Sequence, residues 1–180
     1  FAPYALGISG TFEATSRETR IRTHNLIGRI PGRSPYAGAV LMMAHWDHFG
    51  VGEPVNGDNI YNGALDNASG CAMVLEIGRQ MAKLKPQPKR SILFLMVTAE
   101  EQGLLGSQYY AEFPLYPLQK TLANINIDGI NQWGRTKDLT LIGLGASDLD
   151  DYARAAADEQ GRVLRPDAEP EKGFYYRSDH

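Results

Sequence analysis

Histidine and carboxylate side chains fall in this chain directly after apolar runs, a pattern suited to holding a metal ion for hydrolysis. His45 and Asp47 follow the run 38–44, Glu100 and Glu101 follow 91–97, and Asp128 ends the run 122–127. Short runs rich in Val, Ile and Leu read as buried strands. Open α/β sheets bind ligands outside the carboxyl ends of their strands. Three strands delivering His, Asp and Glu to one edge therefore point to a metallohydrolase site.

Each group has its own chemistry and a plainer alternative. On a strand, residues two apart share a face, so the Asp47 carboxylate can accept from the His45 imidazole and fix its tautomer while the other nitrogen meets a metal. A His–Asp hydrogen bond in a solvated loop is the alternative. Asp66, in Gly63-Ala64-Leu65-Asp66-Asn67-Ala68-Ser69-Gly70, stands before a helix and reads alone as a cap. Glu100 and Glu101 repel after a buried strand unless each has a separate partner; one metal ligand and one general base resolve that, and a solvated turn is the other reading. Asp128 at a strand end needs a cation or several donors. His180, in Ser178-Asp179-His180, says nothing alone but supplies a second imidazole in this company. His48 reads as a loop residue or one behind the ligands, His24 as inert, Cys71 as a small buried hydrophobe, and Trp46 as packing.

The elements that must position these groups are legible in outline. Alternation at 19–23 suggests an edge strand within 8–30, and 50–66 reads as a long polar loop with Gly-Asp and Asn-Gly turns. A helix starts near Ala68, with Asn67 and Ser69 as cap candidates, and carries Met73, Val74, Ile77 and Met81 at helical spacing before Pro86. Another runs over 104–113, strands follow near Leu122 and Leu139, and a last helix spans 149–160. The order β, α, β, α, β, β, α argues for an α/β fold with a mostly parallel sheet between helices.

The chain has 180 residues and no internal repeat, so one domain is expected over 1–180. It stops after a polar segment, so it reads as incomplete, with elements beyond His180 missing and residues 1–7 as the exit from a preceding region. A formal charge of −3 leaves no electrostatic footprint for nucleic acid. No apolar stretch is long enough to span a bilayer. The lone cysteine excludes an internal disulfide and is silent on compartment.

Taken together and in order, the motifs Ala44-His45-Trp46-Asp47-His48, the 63–70 segment, Thr98-Ala99-Glu100-Glu101-Gln102-Gly103-Leu104-Leu105-Gly106-Ser107, Asn126-Ile127-Asp128 and Ser178-Asp179-His180 resemble the co-catalytic di-zinc aminopeptidase family. That family includes the bacterial leucyl aminopeptidases and the glutamate carboxypeptidase II branch, and the resemblance runs from Asn25 to His180. It implies a three-layer α/β/α domain with a mostly parallel mixed sheet, here cut at both ends, and two Zn2+ ions per chain. Asp66 would bridge the ions, His45 and Asp128 would hold one, and Glu101 and His180 the other. Glu100 would be the general base acting on a water between the metals, and Asp47 would orient His45. Tyr175, Tyr176 and Arg177 become candidates for contacting a peptide substrate, with ordinary aromatic packing as the alternative for the tyrosines. The peptide bond after Asp66 would be cis. The resemblance further implies an exopeptidase, an aminopeptidase first, in a periplasmic or secreted setting. The rival readings are a carboxypeptidase of the same family, a single-zinc glutaminyl-cyclase-like acyltransferase, and a non-catalytic receptor-like ectodomain.

Overall fold

The computed structural model describes residues 7 and 9–180; the expectation for 1–7 thus falls almost wholly outside the described residues. The apolar runs form the centre of the molecule. β1 (Leu26–Ile30), β2 (Ala39–His45), β5 (Ser91–Val97) and β6 (Thr121–Asn126) make one sheet in the order β1-β5-β2-β6. β2 runs parallel to both β5 and β6, and β1 pairs antiparallel with β5 at the edge. The register sets His45 opposite Val97 and Met43 opposite Asn126, so the three parallel strands end level.

Side chains alternate across this sheet and give it two apolar faces. Ala39, Leu41 and Met43 of β2 join Leu93, Leu95 and Val97 of β5 on one face, where Tyr110 of α2 (Leu105–Glu112) closes the core. Phe94 points to the other face, toward Gly78 of α1 (Ser69–Met81), where an added Cβ would lie 3.5 Å from the ring. Helices thus cover both faces of a mostly parallel mixed sheet, the expected α/β layering.

One close approach fixes the loop that matters. A Cβ on Gly106 would lie 2.1 Å from the Thr98 carbonyl oxygen and 2.7 Å from its nitrogen, so only glycine lets α2 start directly on the end of β5. Asn25 binds across the same junction, donating to the Gly106 carbonyl at 2.7 Å and accepting from the Thr98 N–H at 3.1 Å.

Three expectations differ from the fold. The polar loop at 50–66 contains an antiparallel ribbon of β3 (Gly50–Val55) and β4 (Asp58–Tyr61). Asn56 and Gly57 at its tip both have positive φ (54° and 87°), as a tight hairpin turn requires. The segment 19–23 forms no strand: no neighbouring strand pairs with it, and Ile21 is exposed. The strand near Leu139, β7 (Asp138–Leu141), pairs in parallel with β8 (Val163–Pro166), forming a second small sheet with α3 (Leu149–Glu159) between its strands in sequence.

Candidate active site

The level ends of β2, β5 and β6 gather the titratable residues. His45 is the last residue of β2 and is 1% exposed. Its Nε2 lies 3.0 Å from Asp66 Oδ1 and 3.2 Å from Asp128 Oδ1. Its Nδ1 lies 3.2 Å from the Asp47 carbonyl oxygen, whereas the Asp47 carboxylate is 3.7 Å away. A proton on Nδ1 donated to that carbonyl leaves Nε2 facing two carboxylates, the geometry in which an imidazole meets a cation. The Asp47 carboxylate instead accepts the backbone N–H groups of Glu100 and Glu101, at 3.1 and 3.3 Å. Asp47 thereby ties the end of β2 to the Glu pair after β5.

Asp66 stands on a wide turn at 64–68 just before α1, and its peptide bond to Asn67 is cis, as the resemblance implies. Asn67 is almost fully buried and links that turn to the segment carrying Asp128. Its Nδ2 donates to the Ile127 carbonyl at 2.9 Å, and its Oδ1 accepts the N–H groups of Gly70 and Gly129, each at 3.0 Å. A Cβ on Gly70 would lie 2.3 Å from that Oδ1, so glycine is what admits the bracket. Replacing Asn67 by Ala strands one buried and two part-buried backbone groups, each costing up to about 1–3 kcal/mol. We expect a loss of about 3 kcal/mol in denaturant melts, with Asn67→Asp recovering part of it through the retained acceptor. A loss below about 1 kcal/mol would show that water or a shifted loop replaces the bracket.

Asp128 is fixed from behind. Ser178 donates to its Oδ2 at 2.5 Å and itself accepts from Asn126 Nδ2 at 2.6 Å. Asp179 is buried and accepts from Ser107 at 2.5 Å, and its other oxygen has no partner among the described residues. The sequence alone does not mark Asn67 or Ser178 as organisers, and for His48 it leaves a loop residue and one behind the ligands both open. The signals present were adjacency to Asp66, a second imidazole three residues after His45, and a hydroxyl two residues before His180.

Among the described residues the donor atoms fall into two groups, His45 with Asp66 and Asp128, and His48 with Asp66 and Glu101; within each they lie within 4.8 Å of one another. Asp66 belongs to both, and Glu100 to neither. His180 is in neither group, its ring standing 4.6 Å from Tyr175 in an edge-on contact. Tyr175 and Tyr176 contact each other, and the Arg177 guanidinium lies 5.9 Å from the Phe174 ring. Among the described residues these three make no hydrogen bond to the clustered carboxylates.

So many acids around one imidazole distort its proton binding. Burial would lower the His45 pKa, but the hydrogen bond to Asp128 and the charges of Asp128, Glu100 and Asp66 prevail and push it up to about 9. Burial raises the Glu100 carboxyl to about 7, helped by Asp128, Asp179 and Glu101 against the pull of His45. Burial also opposes ionisation of Asp128, but the bonds from His45 and Ser178 overcome it and hold that carboxyl below its usual range.

These shifts predict how the metal-free chain responds to pH. His45 binds its proton more tightly folded than unfolded, so its contribution is full below about pH 6.5 and is lost as pH rises through about 9. Glu100 acts in the same sense, since its folded carboxyl also holds a proton more tightly and a penalty enters between about pH 4.5 and 7. With a chelator present, Tm should therefore fall from about pH 6 to about pH 9. Saturating divalent metal should remove that fall, because a cation takes the place of the His45 proton. A chelated protein whose Tm climbs over this range would contradict the electrostatics described.

Known proteins resemble this chain in sequence and in fold. The model of Peptidase family M28 matches residues 25–180. A protein named vacuolar membrane protease from Verticillium alfalfae is 35% identical over 143 residues, covering 73% of this chain and 12% of that protein. The mouse protein named aminopeptidase NAALADL1 is 34% identical, covering 67% of this chain and 16% of its own length. Among solved structures, BSAP, a zinc aminopeptidase from Bacillus subtilis, superposes with a TM-score of 0.64 at 26% identity, over 87% of this chain and 36% of that one. The chain therefore spans well under two thirds of these relatives. Their names also correct the expected periplasmic or secreted setting, which rested on exported family members. Several similar fungal proteins, like the Verticillium one, are named for the vacuolar membrane. Among the described residues, no helix is long and apolar enough to cross a membrane.

Proposed function

The chain belongs to Peptidase family M28, a family of zinc metallopeptidases, and from that premise we propose that it is the catalytic domain of a di-zinc aminopeptidase. The observation that carries this reading is the His45 contact set. Zinc ligands at about 2.0–2.2 Å in tetrahedral array stand about 3.3 Å from one another, and His45 Nε2 is 3.0 and 3.2 Å from the Asp66 and Asp128 oxygens. The residues present thus fit the ion. His45, Asp66 and Asp128 would hold one zinc. Asp66 and Glu101 would hold the second, with His180 completing it on the strength of the family resemblance. Residues 1–180 are read as one domain.

Bound zinc supplies Lewis-acid polarisation of the scissile carbonyl and lowers the pKa of the attacking water toward neutrality. Glu100 accepts the proton of that water and returns it to the leaving amine. Without metal, burial raises its carboxyl to about 7; bound cations would pull it down again and leave it ionised to accept that proton at neutral pH. Asp47 holds the Glu100 and Glu101 backbone, so base and ligand stay in register. Tyr175, Tyr176 and Arg177 are the candidates for meeting the peptide. For location, the relatives' names favour the vacuolar membrane.

The test is metal content per chain after dialysis, together with hydrolysis of leucine p-nitroanilide and its N-acetylated form. Two zincs and cleavage of the free-amine substrate alone are expected. Cleavage only of N-blocked peptides at their carboxyl end would make it a carboxypeptidase. One zinc with cyclisation of N-terminal glutamine would make it an acyltransferase, and no metal at all would make it a binding platform.

A further inference from the structure

His48 lies outside the ligand set just proposed, yet it is bound tightly to one member of it. Its Nδ1 is 2.6 Å from Glu101 Oε1, and the two side chains are only 21% and 12% exposed. We infer that His48 is a positioning residue for Glu101, donating Nδ1–H to one carboxylate oxygen and leaving the other to the second ion. This rests on the two-ion reading above.

The distance separates a donor from a ligand. Two atoms bound to one zinc stand about 3.3 Å apart, as the His45 contacts nearly do. At 2.6 Å the nitrogen and oxygen are too close to be two such ligands, and sit at the short end of a charge-assisted hydrogen bond. Low exposure keeps water from competing for it. Ligating carboxylates are themselves held by hydrogen bonds, and such partners govern metal affinity. Asp128 shows the same arrangement, with Oδ1 toward His45 and Oδ2 held by Ser178.

The surroundings keep the imidazole in place. Gly63, at φ 65°, lies so close that a Cβ there would come 2.8 Å from His48 Cβ. The ring also meets Phe49 at 5.0 Å between centroids, and Phe49 meets Tyr61 of β4 edge-on at 5.8 Å. The β3–β4 ribbon therefore buttresses His48, while Asp47 anchors the Glu101 backbone. Both ends of Glu101 are held from the segment that follows β2.

The experiment is zinc titration of the chelator-stripped chain against a chromogenic competitor, for wild type, His48→Ala and His48→Asn. His48→Ala is expected to weaken the second ion by about 10–100-fold, leaving the first ion unchanged and the stoichiometry at two under saturation. His48→Asn, which keeps an N–H donor near the Nδ1 position, should recover most of the loss. An unchanged second affinity in His48→Ala would overturn the proposal. So would a stoichiometry of one in both variants, which would make His48 a ligand. A wild type taking a single ion would instead overturn the two-ion reading and this inference with it. A metal-free measurement guards against misfolded variants: nitrogen-15 NMR should place the His48 proton on Nδ1, with a downfield signal lost in Glu101→Gln. A proton on Nε2 would refute the bond itself.

Discussion

Glu100→Gln should lower kcat on leucine p-nitroanilide by about 10²–10⁴-fold, the usual contribution of a positioned general acid–base group, with zinc content unchanged. Glu100 belongs to neither group of donor atoms around Asp66, so neutralising it removes the proton acceptor and no ligand. The amide is nearly isosteric and retains the backbone N–H that Asp47 binds. The carboxyl is raised to about 7, chiefly by burial and then by its acidic neighbours; a nearby cation pulls it back down. The acid limb of kcat/KM in the loaded wild type should accordingly lie below about pH 7, and it should vanish in Glu100→Gln. Wild-type turnover in the variant would exclude Glu100 as the base. Lost metal with lost turnover would move it into the ligand set.

The pairing of Glu100 with Glu101 shows why part of this site was legible before its geometry was known. Consecutive carboxylates after Ile92-Leu93-Phe94-Leu95-Met96-Val97 conflict with a buried strand end unless two different partners await them, and types and order alone expose that conflict. The strands themselves were legible for the same reason. The seven-residue apolar runs bury both faces as β2 and β5, and β5 spans the 91–97 run read from sequence; β6, at the sheet edge, leaves Leu122 and Ile125 exposed. What stayed hidden depends on how the chain turns after a strand. His48 is three residues past His45, and no periodicity says that the segment folds back onto Glu101. Asn67 looked like a helix cap, and its Oδ1 does accept the Gly70 N–H. Its other partners, Ile127 and Gly129, lie some sixty residues away, and such a bond leaves no local trace. The ribbon at 50–61 was missed for the opposite reason. Every residue of β3 is exposed, so hydrophobic alternation is silent there, and the Asn56-Gly57 turn was the one signal available.

Asp66→Asn should weaken metal binding at both positions, by about 10²-fold at each, a larger effect than loss of any other carboxylate in the cluster. Asp66 is the one residue shared by the two donor groups. Asp128→Asn would weaken only the His45 position, and Glu101→Gln only the other. A four-ligand zinc site binds with about 10–16 kcal/mol, hence about 3 kcal/mol per ligand, or about 10²-fold in affinity. If Asp66 serves both ions, as proposed, its removal would exact that loss twice. The Asp66 side chain is 53% exposed, so its replacement should leave the chelated protein's Tm nearly unchanged. At limiting zinc the variant should then show much less of the rise in Tm that zinc gives the wild type through its preference for the folded chain. That combination distinguishes a lost bridge from a damaged fold. Two zincs retained at wild-type affinity in Asp66→Asn would mean that the ions are held without a common carboxylate, and the co-catalytic arrangement would fall.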